Sequence, residues 1–180
     1  MQITTTPIEG LLIVQPKVFG DHRGYFMETY NEATFRAAGL PTDFVQDNQS
    51  FSGKGILRGL HFQAPPYAQG KLVRVIRGAV LDVALDLRKS SPTYGKHFTI
   101  QLTEENKTMF WIPPGFAHGF LTLEEDTLFA YKVTGLYNKE SEGGILWNDP
   151  DLGIEWEIDQ PVLSEKDLIL PRLANFNSPF

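Results

Sequence analysis

Short hydrophobic runs, separated by turn-forming residues at roughly ten-residue intervals, make up most of the chain. The separators include Gly20-Asp21, Gly53-Lys54-Gly55, Pro65-Pro66 and Pro113-Pro114-Gly115. Between them the sequence is rich in β-branched, leucine and aromatic residues, a composition typical of strands. The pattern therefore predicts many short strands.

The clearest predicted strand covers Ala79 to Leu87, where leucine and valine alternate with a second set of positions that includes Asp82 and Asp86. The segments 72–77, 96–102, 108–112 and 128–134 are further strand candidates. One helix is predicted over Asn31 to Ala38, because Asn31 can cap its start and Gly39 can end it.

These elements predict an all-β class, a sandwich or barrel with a minor short helix. Regular turn spacing over this length fits a jelly roll. No repeat, low-complexity tract or linker divides the chain, so residues 1–180 are expected to form one domain. The segment from Pro161 onward is rich in helix and strand breakers and is expected to wrap around the barrel.

Composition narrows the classes of function. Sixteen lysines and arginines against 22 acids give a net charge of −6, and no basic run is present, so no nucleic-acid partner is expected. The absence of cysteine excludes disulfides, thiolate zinc sites and cysteine nucleophiles. No apolar stretch approaches the ~18 residues that span a membrane, so no membrane partner is expected and a cytoplasmic location is the default.

Two of the four histidines lie in unusual surroundings. His118 follows Pro113-Pro114-Gly115, and this turn resembles the Pro-x-Gly-x-x-His signature of the cupin superfamily, whose fold is a jelly roll. Cupin metal sites usually open with His-x-His, whereas here the pattern is His61-Phe62-Gln63. Because glutamine is a weak ligand for transition metals, no metal is expected. The alternative for His118 is a histidine packed beside Phe116 and Phe120.

Seven motifs in order resemble the dTDP-4-dehydrorhamnose 3,5-epimerase family, a metal-independent group of cupins. They are residues 21–28 (DHRGYFME), 46–50 (QDNQS), 57–63 (LRGLHFQ), 70–75 (GKLVRV), 131–134 (YKVT), 147–156 (WNDPDLGIEW) and 163–167 (LSEKD). The resemblance covers nearly the whole chain and implies a cupin jelly roll.

By this resemblance, the chain is an isomerase that needs no cofactor and inverts carbons beside a ketone. Such chemistry requires a base, a stabiliser for the enolate, and an acid on the opposite face of the ring. The resemblance implies that His61 is the base, that Asp167 orients it, and that Lys71 stabilises the enolate oxygen. Tyr131 is implied as the acid, with a barrel-packing tyrosine as the alternative.

The resemblance also implies a dTDP-linked 4-keto-6-deoxy sugar as the ligand and a homodimer as the assembly. Arg58 matches a phosphate contact, and strict strand alternation would place it and His61 on opposite faces unless a bulge near Gly59 intervenes or both act from the rim. The further positions implied to contact ligand are Arg23, Phe26, Glu28, Gln46, Asn48, His118, Glu142 and Lys166. In the family Arg23 and Glu28 reach a neighbouring subunit's site, and Phe26 is a candidate to stack on thymine; an exposed Arg23–Glu28 ion pair is the alternative.

Three other functions stay open at this point. The first is an epimerase of a single carbon with the same fold and base. The second is a metal-dependent cupin enzyme, which Gln63 opposes. The third is a binding protein without catalysis, which the coexistence of His61, Lys71, Tyr131 and Asp167 opposes.

Overall fold

Two antiparallel β-sheets face each other in the computed structural model, which describes residues 1–180. The strands are β1 (Gln2–Thr5), β2 (Leu12–Gln15), β3 (Val18–Asp21), β4 (Gly24–Met27), β5 (Gln46–Ser52), β6 (Leu57–Gln63), β7 (Lys71–Arg77), β8 (Ala79–Asp86), β9 (His97–Thr103), β10 (Met109–Ile112), β11 (Phe116–Thr122), β12 (Thr127–Val133) and β13 (Glu142–Gly144). The helices are α1 (Glu32–Ala37) and three 3-10 helices, Lys139–Ser141, Glu165–Leu168 and Leu173–Asn175.

The six-stranded sheet has the order β1-β2-β10-β7-β12-β5, and the five-stranded sheet has the order β13-β6-β11-β8-β9. Strands β3 and β4 form a separate two-stranded hairpin. Apart from the pairs β1–β2 and β8–β9, neighbouring strands in both sheets are not consecutive in sequence, as the long crossings of a jelly roll require. The predicted all-β jelly roll with one minor helix is confirmed.

A hydrophobic core fills much of the space between the sheets. Val73 of β7 and Phe129 of β12 meet Val80 of β8 and Phe120 of β11 there. Full burial of such a side chain stabilises the fold by about 1.5–3 kcal/mol. This packing fixes the separation of the sheets, and it gives the side chains of the cavity described below a rigid support.

Strand β8 is buried on both faces, as every residue from Ala79 to Asp86 shows. Leu81, Val83 and Leu85 point outward into a second cluster, which is covered by side chains of residues 161–180. We call residues 161–180 the C-terminal segment. Its predicted wrapping of the barrel is confirmed, and the wholly apolar face of β8 is the outer face of its sheet. The face that carries the two acids points inward.

Helix α1 covers the outer face of the six-stranded sheet. The side chain of Asn31 accepts a hydrogen bond from the backbone N–H of Thr34, and Gly39 follows the helix with φ of 72°. Phe35 is fully buried in a cluster with Trp111 of β10. The prediction for this helix is therefore confirmed to within one residue at each end. None of the helices has the length and apolar content needed to cross a bilayer.

Candidate active site

A cavity of about 450 Å³ opens between the two sheets. Lys71 of β7 and Tyr131 of β12 line it from the six-stranded sheet, and His61 of β6 and His118 of β11 line it from the five-stranded sheet. Asp167 of the C-terminal segment closes one side. An adjoining cavity of about 350 Å³ shares some of these residues and is also lined by Gln46, Asn48, Gln63, Gln69 and Tyr137. An ammonium and a phenol therefore face two imidazoles across the cavity.

His61 and Asp167 form a hydrogen-bonded pair, with Nε2 of the imidazole 2.5 Å from Oδ1 of the carboxylate. The hydroxyl of Ser164 donates to Oδ2 of Asp167 at 2.9 Å. Burial raises the pKa of Asp167, but the hydrogen bonds from His61 and Ser164 and the charges of His61 and Lys166 together outweigh it and leave this pKa below its usual value. The ionised carboxylate fixes the imidazole and leaves its other ring nitrogen for proton transfer.

A β-bulge brings Arg58 and His61 to the same cavity. In the pairing of β6 with β11, His61 lies opposite His118 and Arg58 lies opposite Phe120, so Gly59 and Leu60 together face the single residue between them on β11. Gly59 has φ of 114°, and a Cβ there would lie 2.6 Å from Gly119 Cα. Of the two alternatives from sequence, the bulge is confirmed.

His118 is both packed and part of the cavity wall. Its Nε2 lies 2.9 and 3.0 Å from the two carboxylate oxygens of Asp82, which is fully buried on β8. Its ring stacks on Phe129 with centroids 6.2 Å apart. Burial lowers the pKa of His118, although the charge of Asp82 acts in the opposite direction. This histidine is therefore held rigidly by the barrel while it faces the cavity.

Lys71 provides the cation at the centre of the site. Burial lowers the pKa of Lys71 to about 8, against the opposing charges of Asp82 and Glu142. Lys71 takes part in none of the ion pairs within the chain. Its ammonium is therefore available to an electron-rich group of a ligand.

Tyr131 is half-buried on β12, across the cavity from His61. Burial raises the pKa of its phenol, and the cations Arg58 and Lys166 oppose this shift. Its ring centroid lies 6.0 Å from that of Phe129. The hydroxyl therefore stays protonated at neutral pH and is able to donate.

Polar side chains around the cavity hold each other in place. Glu142 accepts hydrogen bonds from Lys166 Nζ at 2.5 Å and from the hydroxyl of Tyr137 at 3.1 Å. Burial raises the pKa of Glu142, but the hydrogen bond and charge of Lys166, with smaller contributions from Tyr137 and His61, together outweigh it and lower this pKa overall. On β5, Gln46 Nε2 donates to Asn48 Oδ1 at 2.8 Å. The side chain of Arg58 donates to Ser52 Oγ at 3.1 Å.

The amide of Gln63 is used by the surrounding loops. Its Nε2 donates to the carbonyl oxygens of Tyr67 and Leu136, and its Oε1 accepts from the backbone N–H of Asn138. No three His, Asp or Glu side chains come together as a group suited to a metal ion. In the His-Phe-Gln pattern, His61 therefore faces the cavity while Gln63 holds the loops beside it.

The family model described as dTDP-4-dehydrorhamnose 3,5-epimerase matches residues 5–175. The chain belongs to this family. The epimerase of that name from Shigella flexneri is 54% identical over 169 residues, which cover 93% of each chain. The suspected resemblance is therefore confirmed.

Solved structures of the epimerase family agree with the fold. The dTDP-6-deoxy-D-glucose-3,5-epimerase of Legionella pneumophila, in complex with dTDP-4-keto-L-rhamnose, has a TM-score of 0.94 and 46% identity over 98% of this chain and 94% of its own. A relative from Streptomyces niveus called dTDP-4-dehydrorhamnose 3-epimerase is 36% identical over 168 residues, which cover 93% of this chain and 81% of its own.

Within this epimerase, most of the residues implied by the resemblance line the two adjoining cavities. They are His61, Lys71, Tyr131, Asp167, Gln46, Asn48, Arg58, His118, Glu142 and Lys166. Arg23, Phe26 and Glu28 line neither cavity. Arg23 and Phe26 belong to the exposed β3–β4 hairpin and its turn, where Arg23 pairs with Asp21, and Glu28 accepts a hydrogen bond from Asn31. Their roles stay predictions.

Sequence reasoning did not name several residues that line or support the site, among them Asp82, Ser164 and Ser52. The two acids that interrupt the alternation of β8 were a signal for Asp82, because an ionisable group on a strand between apolar neighbours needs a partner. Ser164 stands three residues before Asp167, a spacing at which a hydroxyl reaches a neighbouring carboxylate in a tight turn. Ser52 had no signal in the pattern.

Proposed function

We propose that the chain inverts C3 and C5 of dTDP-4-dehydro-6-deoxy-D-glucose and so forms dTDP-4-dehydro-L-rhamnose. Membership of the epimerase family supports this reaction. The observation that carries it is the placement of His61 and Tyr131 on opposite walls of one cavity. Inversion needs a base on one face of the sugar ring and an acid on the other.

His61 is the base in this proposal. It removes the proton from a carbon beside the C4 ketone, and the electron pair of the broken C–H bond moves to give the enolate, with its negative charge on O4. Asp167 stabilises the imidazolium that results, because its carboxylate lies 2.5 Å from the ring nitrogen.

Lys71 stabilises the enolate oxygen. Its ammonium lies in the same cavity as His61 and has no ion-pair partner in the chain, so its charge is ready before the enolate forms. Preorganised charge of this kind is usually the largest contribution to catalysis.

Tyr131 returns a proton to the carbon from the opposite face. A phenol whose pKa is raised by burial is protonated at neutral pH, and the new C–H bond takes its proton while the phenolate recovers one from water. The imidazolium of His61 releases its proton before the next carbon reacts. Repeating these steps at the second carbon inverts both centres.

Nucleotide binding is assigned to the remaining residues. Arg58 contacts the diphosphate, because a guanidinium provides forked donors for phosphate oxygens. Gln46, Asn48, His118, Glu142 and Lys166 contact other parts of the ligand. Arg23, Phe26 and Glu28 act in the site of a second copy in a homodimer, which the exposure of the β3–β4 hairpin supports, with Phe26 at 65%.

Incorporation of solvent deuterium into the substrate carbons tests the function directly. The protein is incubated with the keto sugar nucleotide in deuterated water, and NMR locates the deuterium. We expect exchange with inversion at both C3 and C5. Exchange at one carbon alone would assign the chain to single-carbon epimerases, the activity named for the Streptomyces niveus relative. The absence of exchange with intact binding would favour a binding protein.

Three further expectations stay part of the proposal. They are one domain across residues 1–180, a cytoplasmic location, and a reaction that proceeds without a metal or cofactor.

A further inference from the structure

Two carboxylates on strand β8 are fully buried, yet they have different partners. Asp86 accepts hydrogen bonds from three nitrogens of Arg88 and from the hydroxyls of Ser91 and Thr93. Asp82 has one partner, Nε2 of His118, which both of its oxygens share. A buried carboxylate is costly without a counter-charge. Asp86 has a guanidinium for this purpose, and Asp82 has an imidazole whose own burial disfavours protonation.

The cation available to Asp82 lies in the cavity. Lys71 and His118 line the same cavity from its two facing sheets, and the face of β8 that carries Asp82 points into the same interior. Asp82 is the foremost of the acids whose charge acts on Lys71. Because Lys71 has no ion pair, its charge depends on the balance between burial and these acids. The charged or titratable groups around the cavity that holds it come from every wall. They are Asp82 on β8, Glu142 on β13, His61 and Arg58 on β6, His118 on β11, Tyr131 on β12, and Lys166 and Asp167 in the C-terminal segment.

We propose that Asp82 is a positioning residue for the epimerisation: fixed by His118, its buried charge keeps the ammonium of Lys71 protonated where the enolate oxygen forms. This role rests on the proposed function of Lys71. A neutral amine would lack the positive charge that an enolate needs, so the acid acts on the reaction without touching the substrate. Burial and Asp82 together leave Lys71 charged near neutral pH but close to its titration.

The pH profile of kcat tests this role. Activity that needs protonated Lys71 falls as the pH rises through a value of about 8. In Asp82→Asn the opposing charge is gone, so the alkaline limb should move to lower pH by about one unit, the lower end of the shift that a nearby opposite charge produces. A limb that stays in place would overturn the proposal.

Asp86→Asn is the matched control. It removes the same charge from the same strand at the same burial, but its partner is Arg88 rather than the cavity. We expect a loss of stability with an unshifted alkaline limb. A shift equal to that of Asp82→Asn would show a general effect of charge in the barrel and would overturn the proposal.

A measurement independent of catalysis separates this proposal from the proposed function. Lysine labelled with ¹³C at Cε, with the Lys71 signal identified by its loss in Lys71→Arg, should titrate near pH 8 in the wild type and lower in Asp82→Asn. If Asp82→Asn does not fold, the Cγ signal of Asp82 in the wild type should step at the same pH as Lys71. Separate titrations, or a step that follows His118 instead, would overturn the role even if epimerisation is confirmed.

Discussion

The pairs His61–Asp167 and His118–Asp82 face one cavity, and both use Nε2 of the imidazole. They differ in exposure. The His61 side chain is 23% exposed, whereas that of His118 is 7% exposed. They also differ in the origin of the acid, because Asp167 comes from a 3-10 helix in the C-terminal segment and Asp82 comes from the strand next to His118.

The chemical role of a histidine–aspartate pair therefore depends on its exposure and surroundings. A proton acceptor must reach substrate and exchange its proton with water, and the exposure of His61 permits both. The ring of His118 is held between Asp82 and Phe129, so it serves as a wall with a fixed charge behind it. The environment of each pair decides its use.

The substitution His61→Ala should have the largest effect on activity. Without the exposed imidazole, deuterium exchange at both carbons should fall by about 10²–10⁴, the usual contribution of a positioned base. Binding of dTDP should stay nearly unchanged, because the base acts on the sugar. NMR of the exchange and calorimetry of dTDP binding measure the two effects.

His97→Ala is the matched control for that variant, since His97 lies on β9 outside both cavities. It should keep wild-type exchange. Arg58→Ala should have the converse effect, a Kd for dTDP about tenfold to a hundredfold higher, because a charged hydrogen bond is lost. Exchange within about tenfold of wild type in His61→Ala would remove the base assignment.

Tyr131→Phe separates proton removal from proton return on the opposite wall. Deuterium exchange at the substrate carbons, which depends on His61, should persist. Inversion of these carbons should fall by about 10²–10⁴, because the far face of the ring has lost its acid. Chiral analysis of the product beside the exchange measurement distinguishes the two steps.

Tyr30→Phe is the control for the loss of a phenol, since the hydroxyl of Tyr30 donates to Thr42 O beside the outer cluster. Deuterium exchange and inversion should both stay at wild-type values in this variant. If exchange and inversion fell together in Tyr131→Phe, this tyrosine would be a substrate-positioning or enolate-stabilising group. If neither fell, the packing alternative would hold.

The substitution Ser164→Ala should have a smaller effect on activity, because it alters the support of Asp167 and leaves His61 in place. It removes the donor to Asp167 Oδ2, a hydrogen bond with a net contribution of about 0.5–1.5 kcal/mol, so kcat should fall by roughly twofold to tenfold. The pKa of Asp167 is below its usual value, so its stabilising effect is present above the unfolded-state pKa and is lost as the pH falls. The stability difference from wild type, measured by urea unfolding, should therefore shrink toward low pH. A difference that grew there would contradict this assignment.

Exhaustive chelation should have the smallest effect, with no loss of activity, because Lys71 supplies the charge for the enolate. The assay compares kcat before and after treatment with a chelator. Activity lost on chelation and restored by a divalent ion would instead support a metal-dependent enzyme.

Local pattern predicts much of this fold, since period-two alternation and a cap residue report directly on strands and on α1. The pattern does not reveal which face of β8 points inward, because both faces are buried. It therefore could not place Asp82 behind the cavity wall, as the partner of His118. Alternation also places Arg58 and His61 on opposite faces, because a single extra residue in a strand leaves no periodic signal.

The catalytic candidates followed from the motifs of the family rather than from periodicity. Distances such as that between His61 and Asp167 depend on tertiary folding across 106 residues of sequence.

The C-terminal segment both covers the barrel and supplies a residue of the active site. Its Leu173, Phe176 and Phe180 pack against the outer face of the five-stranded sheet, and its Asp167 supports the base on the inner side. Its one β-bridge pairs Val162 with Ile56, and further backbone hydrogen bonds join it to the body between Leu146 and Pro171 and between Lys89 and Phe180. Opening of this segment alone would take Asp167 away from His61 while the strands of the two sheets stay paired. We therefore expect heat to inactivate the enzyme at or below the temperature at which the barrel itself unfolds.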